Sequence, residues 1–200
     1  MGKIKHIPKI KEFLKKTPVF FTRDIELIVK DKAYSYLFLH NLSKKKEIFR
    51  LKKGCYSSIS DPVFTVFCFK PAYLGLQEAL SLHNLWEQET NPVIITNRKV
   101  REGVRQVLDN NIVIHRIPSK YFFGFELLKY GNYFLPVSDI EKTLIDLIYF
   151  RESISKEALK EIKKKIDRVK LNSYLNSYPK DTKKTVKEMI RNKKNNLCAH

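Results

Sequence analysis

The 200-residue chain predicts an α+β protein, and three observations carry that reading. Residues 1–57 read as three short amphipathic helices followed by a two-stranded hairpin with a lysine tip. Short β-branched and aromatic runs, separated by turn residues, then continue to about residue 137. From about residue 151 the pattern becomes helical and lysine-rich. The expected architecture is an N-terminal winged helix-turn-helix over 1–60, then a small mixed α/β domain over 61–200. A basic helical C-terminal tail begins in that second part near residue 151.

Ile7 to Lys16 places Ile7, Ile10, Phe13 and Leu14 among lysines, which is an amphipathic helix stopped by Pro18. Phe20 and Phe21 are extended. Thr22 is then expected to cap a second helix, with Asp24 and Glu26 in its first turn and Ile25, Leu27, Ile28 and Val29 as its apolar contacts. A third helix from about Ala33 to Lys45 has Ala33, Leu37, Phe38 and Leu42 as expected core positions. Glu47–Leu51 alternates as a strand, Lys52-Lys53-Gly54 turns, and Cys55-Tyr56-Ser57 returns. In a winged helix the third helix enters the major groove and the wing rests on the adjacent backbone.

In the middle segment, Val63 to Phe69 is expected to be extended, and Pro71 to open a helix carrying Leu74, Leu76, Ala79, Leu80 and Leu82. Strands are expected over Pro92–Thr96 and Ile112–Ile117, with loop or a short helix between Arg98 and Asn110. Tyr121–Leu128 and Tyr133–Val137 make a hairpin. A helix follows, with Ser138 as cap and Glu141 completing a capping box. Ser155 caps a tail helix bearing Ala158, Leu159, Ile162 and Ile166. Pro179 breaks the tail, a last helix carries Val186, Met189 and Ile190, and Asn192–His200 is expected to fray.

Charge narrows the class. There are 39 Lys and Arg residues against 21 Asp and Glu, a net charge of +18. Residues 1–57 hold 15 basic against 5 acidic side chains, residues 58–150 hold 9 against 10, and residues 151–200 hold 15 against 6. Two basic blocks around a neutral middle suit a polyanionic partner, because neutralised phosphates release counterions. The plain alternative is lysines that solvate helix faces. The hydrophobic fraction of 43% is globular rather than disordered. Met1–Lys16 lacks the apolar core of a secretory leader, and no apolar run reaches the length of a membrane span. Cys55, Cys68 and Cys198 are odd in number and widely spaced, so all three are expected as reduced thiols in a cytoplasmic protein.

On this reading Lys32, Ser35, Tyr36, His40 and Lys44 lie off the core stripe of the third helix and face DNA. Ser, Tyr and His suit base edges or phosphates, while lysines mainly contact phosphate. Arg50, Lys52 and Lys53 charge the wing. Lys163, Lys164 and Lys165 in the tail would add affinity without specificity. Winged helices that bind protein instead of DNA remain the alternative.

Three motifs resemble one family. After a strand stands S-x-x-E-K-T-L-x-D-L, here Ser138 to Leu147. The N-terminal pattern ends in a Gly-x-Tyr wing strand, here Gly54-Cys55-Tyr56. Tyr73–Leu85 is similar to the helix y-x-S-x-x-S-A-L-x-x-H-G-L, departing by Gly75 and Glu78 for serines and by Asn84 for glycine. Together, over about residues 8–150, they resemble the AbiEi antitoxins of type IV toxin–antitoxin systems. The resemblance implies a DNA-binding autorepressor acting on inverted repeats in its own promoter. It also implies neutralisation of a cognate nucleotidyltransferase-like toxin. Oligomeric state stays open, with a dimer on DNA compatible with inverted repeats.

No catalytic constellation stands out, so no enzyme activity, cofactor or metal is expected. Asp146 with Glu161 and Lys163 has the loose spacing of a metal-dependent nuclease, but both carboxylates fall on expected helices rather than adjacent strands. Five histidines show no ligand spacing. The alternatives kept open are a free-standing winged-helix regulator without a toxin and, behind it, the nuclease.

Overall fold

The fold is described from a computed structural model, over residues 6–87 and 91–191. Fraying of Asn192–His200 and the thiol of Cys198 lie outside the described residues. The chain is α+β, with helices at both ends of the described sequence and most of the strands between them.

The N-terminal part contains α1 (Ile7–Lys16), β1 (Val19–Phe21), α2 (Thr22–Val29), α3 (Lys32–Lys44), β2 (Phe49–Lys52) and β3 (Cys55–Ser57). The strands form an antiparallel sheet in the order β1-β3-β2. Three helices and this small sheet enclose Ile10, Phe20, Ile25, Val29, Leu39, Leu42 and Ile48, which is the winged-helix arrangement. Gly54 takes φ +75° at the hairpin tip, a conformation glycine adopts without penalty, and its carbonyl accepts the Thr22 N–H at 3.1 Å. The wing is thereby tied to the start of α2.

Several local expectations are corrected. Thr22 is the first helical residue rather than the cap: Phe21 takes the cap position, and Asp24 accepts its N–H at 2.7 Å. Leu27 is exposed instead of packed. On α3 the buried residues are Ser35, Leu39 and Leu42, while Ala33 and Leu37 face outward. The helix is rotated from its expected phase because its apolar residues surround much of its circumference, so periodicity underdetermines the inner face.

A six-stranded mixed sheet follows, built from β4 (Ala72–Leu74), β5 (Val93–Thr96), β6 (Gly103–Val107), β7 (Asn110–Arg116), β8 (Phe125–Tyr130) and β9 (Tyr133–Ser138). Its order is β6-β7-β5-β4-β9-β8. Pairings β5–β7 and β4–β9 are parallel and the rest antiparallel. β6 replaces the loop or short helix expected between Arg98 and Asn110.

Both sheet faces are covered. On one face Tyr73 and Ile95 pack with α4 (Leu76–Leu82), α5 (Ile140–Tyr149) and the tail helices α6 (Lys156–Lys165), α7 (Arg168–Leu175) and α8 (Lys180–Arg191). On the other, Leu74, Ile94, Ile112 and Ile114 pack with Val63, Phe64, Val66 and Phe69 and with Leu51 and Cys55 of the wing. Val63, Phe64, Val66 and Phe69 belong to a 3₁₀ helix, Pro62–Phe69, which corrects the expected extended run. Asp61 caps it by accepting the Val63 N–H at 2.9 Å. A short, uniformly apolar run fits a buried helix or a buried strand equally well, and here the cap and Pro62 decide.

Cys55 and Cys68 form a disulfide that joins β3 of the wing to this 3₁₀ helix. The expectation of free thiols is corrected for these two. Thirteen residues apart and without a CxxC pattern, they give no sequence signal of pairing; the 3₁₀ helix folding back over the wing brings them together.

The roles expected in the Ser138–Leu147 motif are also redistributed. Ser138 ends β9 and is wholly buried, its hydroxyl 2.7 Å from that of Thr143. The cap of α5 is Asp139, which accepts the Lys142 N–H at 2.8 Å. Glu141 does not reach back; it accepts the Asp167 N–H at 2.8 Å from the tail. Ser155 caps α6 as expected, accepting the Ala158 N–H at 3.0 Å.

Candidate nucleic-acid interface

Asp31 opens α3 by accepting the Tyr34 N–H at 2.9 Å. Packing of Leu39 and Leu42 inward then turns Lys32, Tyr36, His40 and Lys44, spaced four apart, to the solvent on one face. Tyr36 is 52% and Leu37 54% exposed, a high value for large aromatic or apolar side chains and suited to base edges and thymine methyls. The sequence of α3 contains no acidic residue. Ser35 is the exception among the expected contacts. It is fully buried, and its hydroxyl donates to the Asp31 carbonyl at 2.7 Å, so it supports the helix and does not reach its outer face.

The wing divides its cations. Arg50 and Lys53 are exposed. Lys52 is turned back: its amine donates to the Cys68 carbonyl at 3.2 Å and lies 4.5 Å from the centre of the Phe69 ring. The Arg105 guanidinium lies 5.4 Å from the same ring. Burial holds the Lys52 amine below the ordinary lysine range, and the positive charges of Arg98 and Arg105 add to that. Among the described residues, none of Lys32, Lys44, Arg50, Lys52, Lys53, Arg98 and Arg105 makes an ion pair. A basic surface therefore runs from the wing onto edge strand β6 of the six-stranded sheet. Arg98 donates to the Lys70 carbonyl at 3.2 Å and Arg105 to the Arg101 carbonyl at 2.7 Å, which fixes their position.

Sequence reading alone misses Arg98 and Arg105. Averaging over residues 58–150 hides the run from Arg98 to Arg105, where Arg98, Lys99, Arg101 and Arg105 face a single acid, Glu102.

The tail lysines are not brought to this surface. α6 packs on the helical face of the sheet and the wing on the opposite face. Lys164 pairs with Glu161 at 2.6 Å, and Lys165 reaches the His83 carbonyl at 3.5 Å. Lys163 is half-buried. The nuclease residues are separated in role as well. Asp146 is buried on α5 and paired with Lys142, while Glu161 sits on α6 with Lys164. Among the described residues no cluster of His, Cys, Asp or Glu is placed to hold a metal ion, and no helix is long and apolar enough to cross a membrane.

The fold and surface define a winged helix docked on a mixed sheet with a helical tail. The structure is similar to the crystal structure of RV2827C protein from Mycobacterium tuberculosis, with a TM-score of 0.62, 13% identity, and 88% of this chain and 72% of that chain covered. At that identity the likeness concerns the fold alone. No protein-family model and no curated protein matches the chain.

Proposed function

We propose that the protein is a cytoplasmic, double-stranded-DNA-binding autorepressor that also serves as an antitoxin. The observation that supports DNA binding best is the acid-free outer face of α3, Lys32-Tyr36-His40-Lys44, to which the exposed wing residues Arg50 and Lys53 add further positive charge. In this reading Tyr36, Leu37 and His40 meet base edges. Lys32, Lys44, Arg50 and Lys53 meet phosphates, and Arg98 and Arg105 extend the backbone contact beyond the wing. Its site is the inverted repeats of its own promoter.

The antitoxin part rests on the resemblance of residues 73–85 and 136–147 to AbiEi antitoxins, with a nucleotidyltransferase-like toxin as partner. Asn84 supports the match where it departs from the pattern. It stands in place of glycine with φ +53°, and asparagine is the residue that best substitutes for glycine in that conformation. The test is co-expression with the neighbouring nucleotidyltransferase-like protein. The full chain carrying Tyr36→Ala and His40→Ala should still rescue growth while losing promoter repression. If no such neighbour exists, or if that variant fails to rescue while wild type succeeds, the two functions are not separable as proposed. The protein would then be read as a free-standing winged-helix regulator.

A further inference from the structure

The Cys55–Cys68 disulfide lies beneath the proposed DNA-contacting wing. Cys55 is on β3, and Cys68 is on the 3₁₀ helix that packs against both the wing and the six-stranded sheet. Cys68 supplies the carbonyl that holds the Lys52 amine, and Phe69, next in sequence, lies against both Lys52 and Arg105. This covalent link between wing and second domain therefore coincides with the place where their cations meet. Both cysteines are almost fully buried, 0% and 2% exposed, so a reductant reaches the bond only when the wing lifts from the 3₁₀ helix. Cell compartments that keep thiols reduced retain disulfides chiefly where these are redox-sensing or catalytic.

We infer that this disulfide is a redox latch that sets DNA affinity by holding the wing against the second domain. The inference rests on the DNA-binding and cytoplasmic readings above. A dithiol reductant of the thioredoxin class supplies the electrons. Its thiolate attacks one sulfur, breaks the S–S bond and forms a mixed disulfide. Its second thiol then displaces the protein sulfur. Two electrons and two protons pass to Cys55 and Cys68, and the reductant leaves as its own disulfide. The reduced wing is free to move as a hairpin, and Lys52 leaves its fixed place beside Arg105. Because DNA holds the wing down, it should also slow reduction, the reciprocal face of the same coupling.

The test uses the full chain with Cys198→Ser, which excludes intermolecular bonds. DNA affinity and its salt dependence are measured for oxidised, dithiol-reduced and re-oxidised protein, with thiol counts and a thermal melt for each. The expected result is an affinity at least about fivefold weaker on reduction, a salt slope shallower by about one unit for each phosphate the wing no longer neutralises, and recovery on re-oxidation. Cys68→Ser should bind like the reduced form and ignore the dithiol. Equal affinity and equal slope in the folded oxidised and reduced forms would overturn the latch and leave DNA binding intact. Absence of DNA binding in the oxidised form would remove the DNA-binding reading and the latch together.

Discussion

Lys142 and Asp146, one turn apart on α5, form an ion pair in which both side chains are completely buried. Asp146 also accepts the Tyr73 hydroxyl at 2.7 Å, and Lys142 donates to the Tyr178 hydroxyl at 2.9 Å. Burial pushes the Asp146 carboxyl up and the Lys142 amine down, and each partner's charge opposes that shift. Each group is partnered by the other and by a tyrosine hydroxyl. Tyr178 belongs to the tail, so the pair clasps the tail to the sheet. Asp139 and Glu141 reinforce it, both lying within ion-pair distance of the Lys170 amine at 3.0 and 3.3 Å. Asp139, Glu141, Lys142 and Asp146 of the Ser138–Leu147 segment thus each make structural contacts within the chain.

Removing one half of the clasp leaves a buried, unpaired charge. Asp146→Ala is expected to destabilise the fold by about 3–5 kcal/mol. Lys142→Met with Asp146→Leu should lose much less, because no charge is stranded. Denaturant unfolding of the two variants checks this. Equal losses would show that the pair contributes no more than its packing volume.

The corrected cap makes a ranking. Asp139→Ala should cost more than Ser138→Ala, because Asp139 caps α5 and also accepts the Tyr174 hydroxyl at 2.8 Å. The cap alone contributes about 1 kcal/mol. Thermal melts of the two single variants decide it, and a larger loss at Ser138 would return the cap to that residue.

Alkaline stability follows from the tyrosines. Burial first, and then the hydrogen bonds to Asp61 and Asp139, push Tyr130 and Tyr174 each up to about 12. Tyr73 and Tyr178 are raised as well, by burial first and then by the Asp146 carboxylate. A phenol whose folded value exceeds its unfolded one contributes stability that is present below about pH 10 and lost as pH rises through the folded value. Ultraviolet titration should show these four ionising late, the two most buried only with unfolding. Simultaneous ionisation of all ten tyrosines in the folded chain would contradict the hydrogen-bonding scheme.

Tail lysines give a negative contrast. Since α6 lies on the helical face of the sheet and the wing on the other, charge reversal at Lys163, Lys164 and Lys165 should leave the salt slope of DNA binding nearly unchanged. A slope reduced by two or more units would mean that DNA also reaches the helical face.

What can be read from the sequence depends on the kind of signal. α1 carries four apolar residues among lysines and a stopping proline, and its bounds match the reading. The β8–β9 hairpin has a clear turn around Gly131. α3 lacks such contrast: Leu37, Phe38, Leu39 and Leu42 leave its rotation open, and so Ser35 falls on the wrong side when periodicity alone is used. The run from Val63 to Phe69 carries no periodicity at all. The approach of distant segments, Cys55 to Cys68 and Lys52 to Arg105, leaves no local trace, because only the docking of the wing on the sheet creates it.

We propose that α3 and the wing together form a DNA-binding surface. A salt-dependent binding titration of the full chain on its own promoter DNA, wild type against Lys53→Ala with Arg105→Ala and against Tyr36→Ala with His40→Ala, tests it most directly. The first pair should weaken binding to all sequences and flatten the salt slope by about two units, because phosphate contacts carry no sequence information. The second should lower the preference for promoter over random DNA with little change of slope. Wild-type binding that is absent, or unchanged in both variants at every salt concentration, would contradict the account.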